Sequence, residues 1–169
     1  MYNTALNQSQ KYVLLLINHT LHLFMTQLIE IKEGSLETVV ALSQKIPEFT
    51  NPHGLAVYKE RLKDVPSITL VAYVDGRPAG FKVGYERDGY FYSWMGAILP
   101  PYRRLGLARQ LAEKQEAWAK GHGYPHVTFK TRNRLKPMLI FALSRGFDII
   151  EIQPEAAIEE YRIILRKVL

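Results

Sequence analysis

Two Asp-Gly pairs, at 75–76 and 88–89, interrupt a long strand-like stretch that runs over 68–99. Asp-Gly tolerates the positive φ that a tight hairpin demands, so each pair should return the chain antiparallel to itself. Residues 68–74 are rich in β-branched side chains, 79–86 form the returning strand, and 90–99 begin aromatic and end apolar. The middle of the chain therefore reads as three sequential antiparallel strands.

The flanks read differently. Ile29 and Ile31 alternate with Glu30 and Lys32, so 26–32 is a strand. Ser35 can cap a helix through about Gln44, with Glu37 in its first turn. A loop with Pro47 and Pro52 leads to a second helix over 53–62, where Leu55, Tyr58 and Leu62 share a face. After the hairpins come a helix over 105–120, stopped by Gly121, Gly123 and Pro125, and a strand over 126–131. A helix over 135–144 has Pro137 near its start and Gly146 after its end, and strands over 147–152 and 161–168 follow. The order β-α-α-β-β-β-α-β-α-β-β implies an α/β (α+β) fold, a mixed sheet with helices on its faces.

Composition narrows the chemistry. The chain has no cysteine, which excludes disulfides, thiol nucleophiles and cysteine-ligated zinc, and fits a reducing cytoplasm. The five histidines show no metal-ligand spacing, so no metal is expected. A net charge of +6 permits an anionic partner. The basic residues are spread and interleaved with acids, apart from Lys130, Arg132 and Arg134, so no nucleic acid is expected. Residues 1–24 contain one charged side chain, Lys11, and an apolar run too short and too polar for a membrane span. They read as a dispensable extension, with Met25 the functional start and 25–169 a single domain.

The segment 99–109, Leu-Pro-Pro-Tyr-Arg-Arg-Leu-Gly-Leu-Ala-Arg, joins an apolar strand to a long amphipathic helix. A helix N-terminus already carries partial positive charge and unpaired N–H groups, so arginines there are unfavourable unless an anion binds. Gly106 allows close backbone approach, and Ala108 keeps the first turn uncrowded. The N–H groups of Arg104, Leu105, Gly106, Leu107, Ala108 and Arg109 can point into one space and bind phosphate oxygens. Arg103, Arg104 and Arg109 add charge-assisted donors. The segment reads as a diphosphate cradle.

Arg103-x-x-Gly106-x-Ala108, between a fourth strand and a third helix, resembles the signature of the GNAT superfamily of acetyl-CoA-dependent N-acyltransferases. The resemblance covers residues 26–169 in element order. It implies about seven strands, mostly antiparallel, flanked by about four helices, with the fourth and fifth strands splayed. It implies acetyl-CoA (coenzyme A) as donor, with the pantetheine arm paired to the backbone of Ile98, Leu99 and Pro100. The diphosphate falls to the N–H groups of 103–109, and Asn133 contacts the cofactor arm. Gly146-Phe147 matches the glycine–aromatic pair ending the fourth helix. Two departures stand out. Ala142 occupies a position where many relatives carry a tyrosine acid, and strand 90–99 lacks a carboxylate.

Acetyl transfer to an amine needs a deprotonated amine, a polarised carbonyl and a proton for the leaving thiol. The candidate bases are Glu86 and Glu48, with Glu151 ranked below them. The candidate acids are Tyr92 and Tyr58, and Ser93 could order a water. Glu86 and Tyr92 are the preferred pair. Phe49, Tyr58 and Trp94 are the candidate acceptor-binding residues. The acceptor is expected to be a small-molecule or protein amine, and a homodimer is left open. A non-catalytic acyl-CoA-binding module is the alternative reading.

Overall fold

The computed structural model describes residues 7–13 and 27–169. Residues 8–13 are helical and exposed. The expected extension, 1–24, lies mostly outside the described residues.

The chain continues as β1 (Ile29–Glu33), α1 (Leu36–Ser43), α2 (Leu55–Arg61), β2 (Ser67–Val74), β3 (Arg77–Arg87) and β4 (Tyr90–Ile98). After a 3₁₀ turn at Pro100–Tyr102 come α3 (Leu107–Gly121), β5 (His126–Arg132), α4 (Lys136–Ser144) and β6 (Asp148–Gln153). A second 3₁₀ turn, Ile158–Glu160, precedes β7 (Arg162–Val168). Both 3₁₀ turns are absent from the sequence reading, because pieces this short leave no periodicity to detect.

The strands form one seven-stranded sheet in the order β1-β2-β3-β4-β5-β7-β6. All pairs are antiparallel except β4–β5. The hairpins follow from local chemistry. Asp75 and Gly76 have φ of 50° and 74°, and Asp88 and Gly89 have 52° and 81°, so both central residues of each turn are left-handed. β3 begins at Arg77, two residues before the returning strand expected over 79–86. Pro78 lies within β3, opposite Tyr73 where the β2–β3 register shifts.

Alternation sends the two faces of the sheet into two cores. Leu70, Ala72, Phe91, Leu111 and Leu165 pack on the α3–α4 face. Val71, Phe81 and Val83 pack with Val39, Leu42 and Tyr58 on the α1–α2 face.

The pairing of β4 with β5 positions the site. It lasts for only two residue pairs, Phe91↔Val127 and Tyr92↔Thr128. Beyond them β4 follows β3 up to Ile98, while β5 follows β7 up to Arg132. The strands diverge and leave a wedge-shaped gap, as the resemblance implied.

Candidate active site

A β-bulge marks the start of the gap. Val83 pairs with Met95 and Gly84 with Ser93, which leaves Trp94 without a partner on β3. The indole packs on the α1–α2 face. Its ring centre lies 4.8 Å from that of Tyr58, 5.4 Å from His53 and 5.9 Å from Tyr85. The Arg61 guanidinium sits 4.8 Å over it. Phe49 packs against the same cluster. The structure thus brings Phe49, Tyr58 and Trp94 together and adds His53, which the sequence did not single out. Tyr58 is fully buried, its hydroxyl has no partner among the described residues, and burial pushes its pKa up to about 12. It is a neutral phenol at any working pH.

The edge of β4 that faces the gap lies lower than the resemblance implied. Leu99 N–H donates to Ala79 O at 2.8 Å, on the β3 side. Antiparallel alternation therefore turns the N–H and C=O of Gly96 and Ile98 toward the gap. Leu99 is committed to β3, Pro100 has no N–H, and the Ile98 carbonyl accepts from Arg103 Nε at 3.2 Å. The edge free for an extended ligand runs through Gly96 and the Ile98 N–H, and Gly96 was not among the expected residues.

The loop above this edge is the candidate anion site. Gly106 is the α3 N-cap at φ 77°, with no side-chain cap and no acidic residue in the first turn. Arg104 is also left-handed, at φ 69°. These two residues cannot be helical, so α3 begins at Leu107 and not at 105. The first helical bond is Gln110 N–H to Gly106 O at 3.1 Å. The six N–H groups of 104–109 donate no hydrogen bond among the described residues. Leu107, almost fully buried, anchors the turn while Gly106, Ala108 and Arg109 stay exposed. The arginines divide the work differently from the sequence reading. Arg103 bonds Glu48 at 2.8 Å and Arg109 bonds Glu113 at 2.8 Å. Among the described residues, only the Arg104 guanidinium of the three makes no ion pair.

Residues 36–147 match the sequence model of the acetyltransferase (GNAT) family. The chain belongs to the acetyltransferase (GNAT) family. It is an acetyl-CoA-dependent N-acetyltransferase with an amine as acceptor. This decides against the non-catalytic alternative. No curated protein matches it by sequence. Its fold is similar to that of the ribosomal-protein-S18-alanine N-acetyltransferase from Escherichia coli, with a TM-score of 0.73 and 18% identity over 83% of this chain and 94% of that one. It is also similar to Ard1 from Thermoplasma volcanium, at 0.71 and 17% over 83% and 97%. The PaiA N-acetyltransferase from Thermoplasma acidophilum, solved with coenzyme A, scores 0.66 at 15% identity over 84% and 99%.

Other expected residues of this acetyltransferase stand elsewhere. Asn133 is anchored locally: its N–H donates to Tyr161 O at 2.9 Å, its Nδ2 to Ile158 O at 3.0 Å, and its Oδ1 accepts from Lys136 at 2.6 Å. It holds the segment before β7, with one Nδ2–H and one Oδ1 lone pair still open. Glu86 lies below the apex of the gap, opposite Phe91, and its carboxylate accepts from Gly89 N–H at 3.2 Å. It caps the hairpin and is not brought to the cleft. Glu48 is bound by Arg103, whose hydrogen bond holds its carboxyl below the usual carboxylate range. Tyr92 sits at the apex, almost fully buried, with its pKa raised chiefly by burial. Its ring helps line a concavity of about 400 Å³ on the α1–α2 face, shared with Arg87, Lys130, Glu151 and Arg166. Ala142 is buried in the α3–α4 core, and α4 offers no phenol in its place. Gly146, at φ 81°, ends α4, and Phe147 packs edge-on against Phe129.

Proposed function

We propose that the backbone N–H groups of 104–109, with the Arg104 side chain, bind the diphosphate of acetyl-CoA, and that the gap-facing edge of Gly96 and Ile98 takes the pantetheine arm. The single observation supporting this is the row of six unpartnered N–H groups at a helix N-terminus that lacks both a cap and an acid. Each would otherwise be left without a partner when a ligand excludes water, so the loop fits a large multidentate anion. The neighbouring unpaired strand edge fits an extended arm that contains amides. The donor supplies an activated acetyl group; the chain supplies its orientation and the exclusion of water.

The acceptor amine approaches from the other face. Trp94, His53 and Phe49 form its aromatic wall, backed by the buried Tyr58, and the bulge at Trp94 frees backbone that can polarise the thioester carbonyl. Tyr92 stays a neutral phenol beside this path. The acceptor is a small molecule or a protein amine. The exposed Ile149, Ile150 and Ile152 on the edge strand β6 support a homodimer, testable by sedimentation. The cysteine-free composition supports a cytoplasmic location, testable by fractionation.

Isothermal titration with acetyl-CoA tests the donor site, with dephospho-CoA as comparison. One-site binding, followed by thiol release against a panel of amines, is the expected result. No binding at high donor concentration would remove the assignment.

A further inference from the structure

β3 carries a lysine where its neighbours on the same face are glycines. Alternation places Gly80, Lys82 and Gly84 on the α3–α4 face. A Cβ on Gly84 would stand 2.5 Å from the Phe91 ring and 2.9 Å from Gln115 Nε2, so that face is tightly filled below Lys82. Lys82 itself pairs across to Gly96 on β4. The position a Gly96 Cβ would take lies 3.4 Å from Lys82 Cγ. The lysine stem thus lies against a bare glycine. A lysine is longer than the roughly 4.8 Å between neighbouring strands, so it can cross β4 into the gap.

Lys82 is only partly buried, and its amine makes no hydrogen bond or ion pair among the described residues. The charges that face it are Glu116 on α3 and Arg145 beyond α4. Glu116 is itself bound by Arg145 at 2.9 Å and by Lys167 of β7 at 2.8 Å. Burial pushes the Lys82 pKa down to about 8, Glu116 draws it back up, and Arg145 lowers it. A lysine without an ion partner costs free energy in such a place, and groups held at that cost cluster at functional sites.

We propose that Lys82 gives the proton to the sulfur that leaves in acetyl transfer, a reading that rests on the donor site described above. The diphosphate loop and α3 lie on this face, so the thiol end of the donor arrives here while the amine comes from the Trp94 side. As the acceptor nitrogen forms its bond to the acetyl carbon, the C–S bond breaks and its electron pair goes to sulfur. Sulfur takes a proton from the Lys82 ammonium, which becomes a neutral amine. The acceptor nitrogen loses one proton to solvent, and Lys82 regains one from solvent. Tyr58 and Tyr92 stand on the opposite face, and Gly80, Gly84, Ser93 and Gly96 offer no comparable acid on this one.

The absence of cysteine allows a clean test. Lys82→Met and Lys82→Cys should each lose about 10²-fold or more in transfer rate. Their affinity for acetyl-CoA, measured by calorimetry, should stay close to that of the unaltered chain. Alkylating Lys82→Cys with 2-bromoethylamine restores an amine of lower pKa at one position. It should recover rate, and the fall in rate at alkaline pH should move to lower pH, because the donor acts only when protonated. Loss of acetyl-CoA affinity in step with rate would make Lys82 a donor-binding group and overturn the proposal. So would an alkaline limb unmoved by the alkylation. If the unaltered chain binds no acetyl-CoA, the donor site itself falls, and this role with it.

Discussion

Arg103 Nη2 stands 2.8 Å from Glu48 Oε2, while Arg103 Nε donates to the Ile98 carbonyl at 3.2 Å. One guanidinium therefore ties the anion loop to the last residue of β4 and to the α1–α2 connection. The proposed donor site and the proposed acceptor wall share a fastening.

The strength of that fastening sets the first prediction. Both side chains are about two-fifths exposed, 42% for Arg103 and 38% for Glu48, so the pair contributes little, of order 0.2–1 kcal/mol. Glu48→Gln should lower the melting temperature slightly at neutral pH. The Glu48 pKa is depressed in the fold, so its contribution exists above the unfolded pKa and is lost as pH falls through the folded one. The difference between Glu48→Gln and the unaltered chain should therefore vanish in acid. Thermal unfolding across a pH series checks this, and a difference that grew in acid would sink it.

Gly106 supports a second expectation. At φ 77° it occupies the left-handed region, where a side chain costs roughly 1–2 kcal/mol. Its own N–H and those beside it are the donors proposed for the anion. Gly106→Ala should weaken acetyl-CoA binding about tenfold or more by tilting that row. Arg109→Met, which removes a guanidinium already bound to Glu113, should change affinity far less. Calorimetry on both variants separates a backbone site from one made by surface charge.

The sequence announces the parts of this site that depend on local chemistry. Asp75-Gly76 and Asp88-Gly89 fix the hairpins because both turn residues need positive φ, and Gly106 marks the loop for the same reason. It cannot announce where a side chain is already engaged. Asn133 looks free in the sequence, but its partners Ile158 and Tyr161 are brought to it by the return of β7. Glu86 stays out of the gap because it pairs with Phe91, within the stretch where β4 is still joined to β5, and no pattern in the sequence says where that joining ends. Lys82 did leave a signal. The pattern Gly80-x-Lys82-x-Gly84 puts a cation between two glycines on the buried face of an otherwise apolar strand.

Gln115 is fully buried on α3, and neither its Oε1 nor its Nε2 has a partner among the described residues. Each unsatisfied group costs about 1–3 kcal/mol. Gln115→Met keeps the shape and removes both, so it should raise the melting temperature. Gly84→Ala drives a methyl group into Phe91 and Gln115 and should destabilise by about 1–3 kcal/mol. Chemical unfolding measures the two opposite signs.

The aromatic wall yields a prediction that divides the two substrates. Trp94 touches Tyr58 and His53 on the α1–α2 face, away from the anion loop. Trp94→Ala should raise the acceptor KM and leave the Kd for acetyl-CoA nearly unchanged. Equal losses for both substrates would mean that Trp94 shapes the whole gap through the bulge and does not recognise the acceptor.

Glu116 links stability to the chemistry proposed for Lys82 on the same face. Its carboxylate receives two bonds from Arg145, at 2.9 and 3.0 Å, and one from Lys167 at 2.8 Å. Glu116 and Arg145 are nearly buried, at 12% and 11% exposed. Removing the anion leaves two cations facing each other in a poorly solvated place, a change that costs about 3–5 kcal/mol. Glu116→Gln retains the shape and should show a large loss of stability. It also removes the charge that raises the Lys82 pKa, while Arg145 continues to lower it. In the fraction that stays folded, the alkaline fall in transfer rate should begin at lower pH. A large stability loss with an unmoved alkaline limb would show that Glu116 only cements α3 to β7, and that its field does not reach the proton on Lys82.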